Sequence, residues 1–291
     1  MDEEYGKSPA ERKPTDCARG TLRKLFVTWR WARTMDLSGR TALVTGGAAG
    51  IGRGIAIELA RGGGNVVVAD VRAEPKLTDE QAAGSTVEVI EQFDGDAEYV
   101  ECDVSDEPAV EAAITATVER FGGLDILVNN AGISVSGSVH ELDRDEWEQS
   151  LDVNLTGVYL TTKHAASHLR ESDAGRIINL ASTAAFEGGP RAAGYCATKA
   201  GVVNLTRQMA VDYGPDGVTV NALCPGPIYT SMSQGTFDDP ERREIYEEHV
   251  LVPYFGEPSD VGKLTRFLAS DAARYITGTA IPIDGGWLAS R

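Results

Sequence analysis

Beyond residue 40 the chain alternates between two hydrophobic rhythms. Short runs that are apolar almost without interruption fall at Thr41–Thr45, 65–69, 98–100, 126–128, Arg176–Leu180, 218–222 and Ala280–Ile283. Runs of this length, bounded by glycine or polar residues, predict strands buried on both faces. Between the first two, Ile51, Ile55 and Leu59 recur at helical spacing, and Gly62, Gly63 and Gly64 close the helix they predict. Asp106 is predicted to begin a helix towards Phe121, with Pro108 tolerated in its first turn. Asp143 is predicted to start a long helix through Arg170, and Tyr195 another through Tyr213. Strand and helix in alternation predict an α/β fold, a doubly wound parallel sheet in a single domain spanning 35–291.

The first 34 residues break the rhythm. They hold eight basic and five acidic residues, a net +3, and residues 20–34 mix arginine and lysine with Leu22, Leu25, Phe26, Trp29 and Trp31. One reading is an amphipathic segment lying on an anionic membrane surface. The other, preferred here, is an extension that is disordered or not native, because Met35 stands directly before the first strand pattern.

Composition narrows the function classes. The chain of 291 residues carries 44 acidic against 27 basic side chains, net −17, so residues beyond 34 carry −20. That field opposes a phosphate-backbone partner. No apolar run approaches the roughly 20 residues of a membrane-spanning helix. Cys17, Cys102, Cys196 and Cys224 are scattered without knuckle spacing, which suits reduced thiols and a cytoplasmic location. Arginine outnumbers lysine 20 to 7. Self-repulsion of so acidic a surface is relieved by salt, so a salt-tolerant or halophilic protein is expected.

Chemistry enters at the first strand's end. The segment TGGAAGIG at 45–52 puts Gly46, Gly50 and Gly52 between a buried strand and an amphipathic helix. There they permit a tight turn, close approach to a pyrophosphate, and helix-on-sheet packing, while the helix N-terminus and Ile51 face the phosphates. Asp70 ends the second strand, 18 residues beyond Gly52. A carboxylate there accepts hydrogen bonds from ribose hydroxyls and repels a 2′-phosphate, favouring NAD over NADP, although Arg72 could receive that phosphate.

Tyr195 and Lys199 lie four apart in YCATK and share one helix face. A tyrosine is a poor acid or base near neutrality unless a cation favours its phenolate. With TGGAAGIG, NNAG at 129–132, Asn154 in VNLTG, Ser182 thirteen residues before Tyr195, and PGPIYT at 225–230, the pair completes six motifs in one order. Together they strongly resemble the short-chain dehydrogenase/reductase family, in its single-domain, Rossmann-type, NAD(P)-dependent form, over about 36–288. Departures are mild: LAS at 180–182 where a double serine is frequent, and Cys196 inside the Tyr–Lys motif. Ala49, where NADP-preferring members often place a basic residue, agrees with the NAD reading.

The resemblance implies roles. Tyr195 exchanges the hydroxyl proton, Lys199 lowers its pKa and holds the nicotinamide ribose, Ser182 stabilises the substrate oxygen, and Asn154 helps hold a proton-relaying water. Asp103 and Val104 would meet the adenine, Asn130, Ala131 and Gly132 would line the cofactor, and Pro225, Gly226, Ile228 and Thr230 would contact its nicotinamide end. Hydride transfer needs no metal. A homotetramer is implied, as is a substrate lid at about 231–255, where Met232, Phe237, Tyr246, Val250 and Tyr254 could wall a pocket.

Other groups are read as structural. His164 and His168 lack a third metal ligand, and Glu247, Glu248, His249, Asp238 and Asp239 read as surface charge. Cys196 could be redox-sensitive, but packing is the plainer role. The expected function is an NAD-dependent oxidoreductase acting on a secondary alcohol or ketone, a sugar, sugar acid or polyol. The alternative substrate is a 3-oxoacyl or hydroxy-acyl compound, and the alternative class is a catalytically silent NAD-binding regulatory or scaffold protein.

Overall fold

A computed structural model describes residues 35–75 and 84–291. Both readings of residues 1–34 therefore lie outside the described residues. Seven parallel strands, β1 (Thr41–Thr45), β2 (Asn65–Asp70), β3 (Ala97–Glu101), β4 (Ile126–Asn129), β5 (Arg176–Leu180), β6 (Thr219–Pro225) and β7 (Ala280–Ile283), form one sheet in the order β3-β2-β1-β4-β5-β6-β7.

Two-residue alternation sorts the strand side chains to the two faces. Leu43, Val67, Leu127, Ile177 and Val220 are register neighbours across five strands and share one core. That core is completed by α3 (Glu107–Phe121), α5 (Gly157–Glu171) and α6 (Ala193–Tyr213). Ala42, Val44, Val66, Val68, Ile126, Val128 and Ile178 face the other way, towards α1 (Gly50–Arg61), the short α2 (Thr86–Glu91) and α9 (Pro258–Ala269). The doubly wound architecture follows from this division.

Several sequence-based boundaries shift, three of them by more than the rest. β6 runs on to Pro225 because Cys224 and Pro225 pair with Pro282 and Ile283 of β7. α6 begins at Ala193, two residues before Tyr195. The long helix expected from Asp143 is divided: α4 (Arg144–Leu151) gives way to a π-turn at Asp152–Thr156 before α5. Asp143 caps α4 in a reciprocal box with Glu146, whereas Asp106 occupies the α3 cap position without a side-chain bond.

Strand order reverses at β1, which lies between β2 and β4. The carboxyl ends of β1 and β4 therefore diverge into the crevice where open α/β sheets bind ligands.

Candidate active site

The glycine turn is built by its neighbours. Gly46 has φ +64°, a left-handed conformation open to glycine. A Cβ on Gly52 would lie 2.1 Å from the Gly46 carbonyl oxygen, so only glycine lets α1 start this close to the turn. Asn130 fastens the turn: its Nδ2 donates to the carbonyls of Thr45 (2.9 Å) and Gly46 (3.0 Å). Thr45 Oγ1 in turn accepts the backbone N–H groups of Asn130 (3.0 Å) and Ala131 (3.1 Å). Asn130 thus acts first as a brace between β1 and β4.

Helix α1 fits an anionic ligand. Ala49 at its cap supplies no side-chain bond, and its first turn holds no acidic residue, so the helix's own side chains offer its leading N–H groups no acceptor. Asp70 at the end of β2 accepts the Ala48 N–H at 3.0 Å, which sets its carboxylate against the turn. Thr230 lies beside Gly50, and Ile228 is buried in the core cluster on the α1 face of the sheet. Pro225 and Gly226 end β6 against Asp284, and the Gly226 N–H donates to the Ile283 carbonyl at 3.0 Å. Asp103, after β3, is exposed, and one of its oxygens accepts both the N–H and the hydroxyl of Ser105. Val104 is buried against Gly157, so its side chain belongs to the core.

The second cluster gathers over β5. Lys199 is 4% exposed, and its Nζ donates to the Leu180 carbonyl at 2.8 Å. Burial pushes its pKa down to about 8. Its ammonium sits 5.6 Å from the centre of the Tyr195 ring, one helical turn back. Ser182, just past β5, accepts the Ala184 N–H on its hydroxyl at 3.2 Å and lies near enough to Tyr195 to influence its titration. Burial raises the Tyr195 pKa, and Ser182 partly opposes it. In this arrangement desolvation, not the lysine cation, dominates the tyrosine's titration. Cys196 is half-buried, and a negative charge on it would raise the Tyr195 pKa further.

Asn154 lies in the π-turn, 1% exposed. Its amide bridges the backbone of Ile133, accepting its N–H (2.8 Å) and donating to its carbonyl (2.9 Å), with a longer contact to Thr198 Oγ1 (3.3 Å). Gly132 lies between Asn154 and Lys199, within 3.1 Å and 3.5 Å of their polar atoms measured from the position of a Cβ. A π-turn inside a helix is a frequent mark of a functional site, and no hydrophobic period announces it.

Two features escaped the sequence. Beneath the site Asn129 and Asn179 bond at 2.8 Å and are tied to Thr161 (2.6 Å) and Thr206 (2.9 Å), a buried polar network in which both amides find partners. Above it, Trp287 of the C-terminal tail donates its indole N–H to Glu187, and Arg291 approaches Glu187 at 3.4 Å. Residues 231–255 form α7 (Gln234–Phe237) and α8 (Pro240–His249). Phe237 packs among Tyr229, Tyr246 and Phe255, and Tyr246 stacks on Trp287 at 4.8 Å. Of the five expected wall residues, Phe237 and Val250 are buried, Met232 and Tyr254 lie mostly exposed, and Tyr246 joins the ring cluster.

His164 meets Glu107 at 3.0 Å, and no cluster of three metal-ligating residues occurs among the described residues. No helix of the described residues is long and apolar enough to cross a membrane.

A dinucleotide-type turn at the switch point, with a buried lysine and a half-buried tyrosine and serine beside it, defines an oxidoreductase of CH–OH groups that uses a nicotinamide cofactor. The chain belongs to the short-chain dehydrogenase/reductase family. A family model described as enoyl-(acyl carrier protein) reductase matches residues 46–288. The chain is similar to 3beta-hydroxysteroid dehydrogenase 1 of Eggerthella lenta, 41% identical over 86% of this chain and 94% of the relative. It is also similar to the 3-oxoacyl-[acyl-carrier-protein] reductase FabG of Staphylococcus aureus, 38% identical over 85% and 97%. A candidate 2-deoxy-D-gluconate 3-dehydrogenase from Agrobacterium tumefaciens, solved with NADP bound, superposes with a TM-score of 0.79 at 35% identity, covering 88% of this chain and 99% of that one.

Proposed function

We propose that the protein is an NAD-dependent dehydrogenase that oxidises a secondary alcohol of the sugar, sugar acid or polyol class. The observation that carries this reading is the approach of Ser182, Tyr195 and Lys199 at the carboxyl end of β5. When bound, the nicotinamide cofactor supplies the hydride acceptor. Tyr195 takes the hydroxyl proton from the alcohol, and in the reverse direction returns it to the ketone. Ser182 donates to the substrate oxygen and holds charge that develops there. Lys199, anchored on the Leu180 carbonyl, fixes the wall against which the nicotinamide ribose would lie. Asn154 keeps the 132–133 backbone in place and thereby shapes the Lys199 side of the site.

The turn residues Gly46, Gly50, Ile51 and Gly52 would hold the pyrophosphate, with Asn130, Ala131 and Gly132 beneath it and Pro225, Gly226, Ile228 and Thr230 at the nicotinamide end. Asp70 would take the adenosine ribose and set the preference for NAD. Asp103 and the Val104 backbone would meet the adenine. Residues 231–255 would close as a lid over the substrate. A screen for NADH formation over sugars, sugar acids, polyols and hydroxy esters tests the substrate class. Turnover confined to hydroxy-acyl thioesters would transfer the assignment to the second reading, which the similarity to FabG supports.

The same proposal includes a homotetramer, supported by the exposed Tyr159 on α5 and Val211 on α6. A monomeric mass by light scattering would refute it. Free thiols at Cys102, Cys196 and Cys224 suit a reducing, cytoplasmic setting. Activity should persist in molar KCl, and a steady fall from the lowest salt concentration would count against the halophilic reading.

A further inference from the structure

Trp287 stands in the short turn Trp287–Ala289 that follows β7, and it is 6% exposed. The turn rests on Asp284, whose carboxylate accepts the N–H groups of Gly286 and Leu288, each at 2.9 Å. Tyr246 of α8 stacks on the Trp287 ring at 4.8 Å, and His249 tilts against it at 5.6 Å. Further bonds reinforce this contact: the Leu251 N–H donates to the Gly285 carbonyl at 2.8 Å, and the Ser290 hydroxyl to the His249 carbonyl at 2.6 Å. A Cβ on Gly286 would lie 2.8 Å from the Leu251 side chain, so the two segments touch closely. The tail and α8 therefore form one packed unit.

An indole N–H can only donate, and burial of the ring obliges it to find an acceptor. The acceptor comes from the catalytic side of the molecule: Glu187, five residues beyond Ser182, takes the Trp287 N–H on Oε1. Its other oxygen lies 3.4 Å from Arg291, whose guanidinium sits 4.2 Å from the centre of the Trp287 ring. Between Ser182 and Glu187 the chain is a closed turn. The Ser182 hydroxyl accepts the Ala184 N–H (3.2 Å), the Ser182 carbonyl that of Ala185 (3.0 Å), and the Thr183 carbonyl that of Phe186 (2.9 Å). Glu187 thus joins the turn that starts at Ser182 to the unit that carries α8. Ring packing alone is tolerant of direction, whereas a carboxylate paired with the indole fixes how α8 stands against that turn.

We propose that Glu187 is a positioning residue for substrate binding: by clasping Trp287 it holds α8 in place against the Ser182 turn. The inference rests on the reading of 231–255 as the substrate lid, and it names what keeps that lid down. Glu187 acts through Trp287 and takes no part in proton or hydride transfer, so its loss raises KM and spares kcat.

The test uses the full chain with two readouts: KM for a secondary alcohol, and the rate of tryptic cleavage after Arg242 and Arg243, both exposed on α8. Cleavage at these sites, followed by mass spectrometry, reports how often α8 opens and needs no turnover. Glu187→Ala leaves the buried N–H unpaired and should raise both about tenfold, with kcat within about twofold. Glu187→Gln keeps an acceptor and should stay within about threefold of wild type in both. In a Trp287→Phe background Glu187→Ala should change either by less than about twofold, because the bond is already gone. The Glu187 side chain is 22% exposed and phenylalanine keeps the ring, so neither change empties the core. Unchanged KM or unchanged cleavage in Glu187→Ala, no rescue by glutamine, or an effect undiminished without the indole would each overturn the proposal. The last result would make Glu187 a direct substrate contact. Absence of turnover on any alcohol would sink the proposed function alone, and the cleavage rates would still decide the clasp.

Discussion

The wall formed by Ser182, Tyr195, Lys199 and Asn154 and the segment 231–255 above it are held by different forces. In the wall polar side chains are fixed by directional hydrogen bonds: Lys199 to the Leu180 carbonyl, Asn154 to the Ile133 backbone, and Ser182 to the Ala184 N–H. Lys199 and Asn154 are buried, so misplacing either would leave a buried group unpaired. The segment is held by rings, Phe237 on Tyr229 and Phe255, and Tyr246 on Trp287. Ring packing is tolerant of direction, and Met232, Leu251 and Tyr254 stay largely exposed. Under the proposed assignment, proton chemistry belongs to the rigid wall and substrate choice to the more adaptable segment.

The comparison is sharpest at Ser182. Replacing it with alanine should lower kcat by about 100- to 1,000-fold, as loss of one donor to a developing oxyanion does. It also removes the hydroxyl that opposes the burial-driven rise of the Tyr195 pKa. The pH midpoint of alcohol oxidation should therefore move upward, which a pH–rate profile of both proteins reads directly. A lid variant that shifted the midpoint equally would dissolve the distinction.

Lys199 tests the cost of the wall's rigidity. Its pKa falls from 10.5 to about 8, so between those values the folded state binds fewer protons than the unfolded chain. Stability from this group is then gained as pH rises from 8 towards 10.5, and below 8 the full burial penalty stands. Lys199→Met should be inactive yet more stable than wild type below pH 8, by at most about 3 kcal/mol, with the gap closing at higher pH. Thermal unfolding across that range measures it, and a gap that widened with pH would be the wrong sign.

Asp70 stands at the end of β2, held against the glycine turn by the Ala48 N–H. Asp70→Ala should cut the preference for NADH over NADPH about tenfold in fluorescence titrations, the worth of one charged contact. Smaller still is the lid. Trp287→Phe keeps a ring beneath Tyr246 but loses the bond to Glu187, and should raise KM a few-fold with kcat within about twofold. Steady-state kinetics separate the two parameters, and a collapse of kcat would show that the tail reaches the reacting atoms.

The same contrast explains what the sequence could reveal. Strands β1, β5 and β7 follow from continuous apolar runs, and the Tyr195–Lys199 face follows from helical spacing, because both are local periodicities. Gly52 was legible because close packing on Gly46 leaves room for one residue type. The π-turn at Asn154 was not, since its extra residue costs nothing that hydrophobicity records. Nor were the Asn129–Asn179 network and the Glu187–Trp287 bond, whose partners stand 50 and 100 residues apart and carry no shared pattern. The assumed influence of Lys199 on Tyr195 needed the structure to be weighed against desolvation, and desolvation is larger.

The most direct test of the proton-transfer assignment compares NADH formation by wild type and Tyr195→Phe on the same secondary alcohol, with NADH binding measured in parallel. Wild type should turn over, and Tyr195→Phe should bind NADH equally but lose about 100- to 10,000-fold in rate. Wild type that binds NADH yet turns over no alcohol, or a phenylalanine variant that keeps its rate, would contradict it.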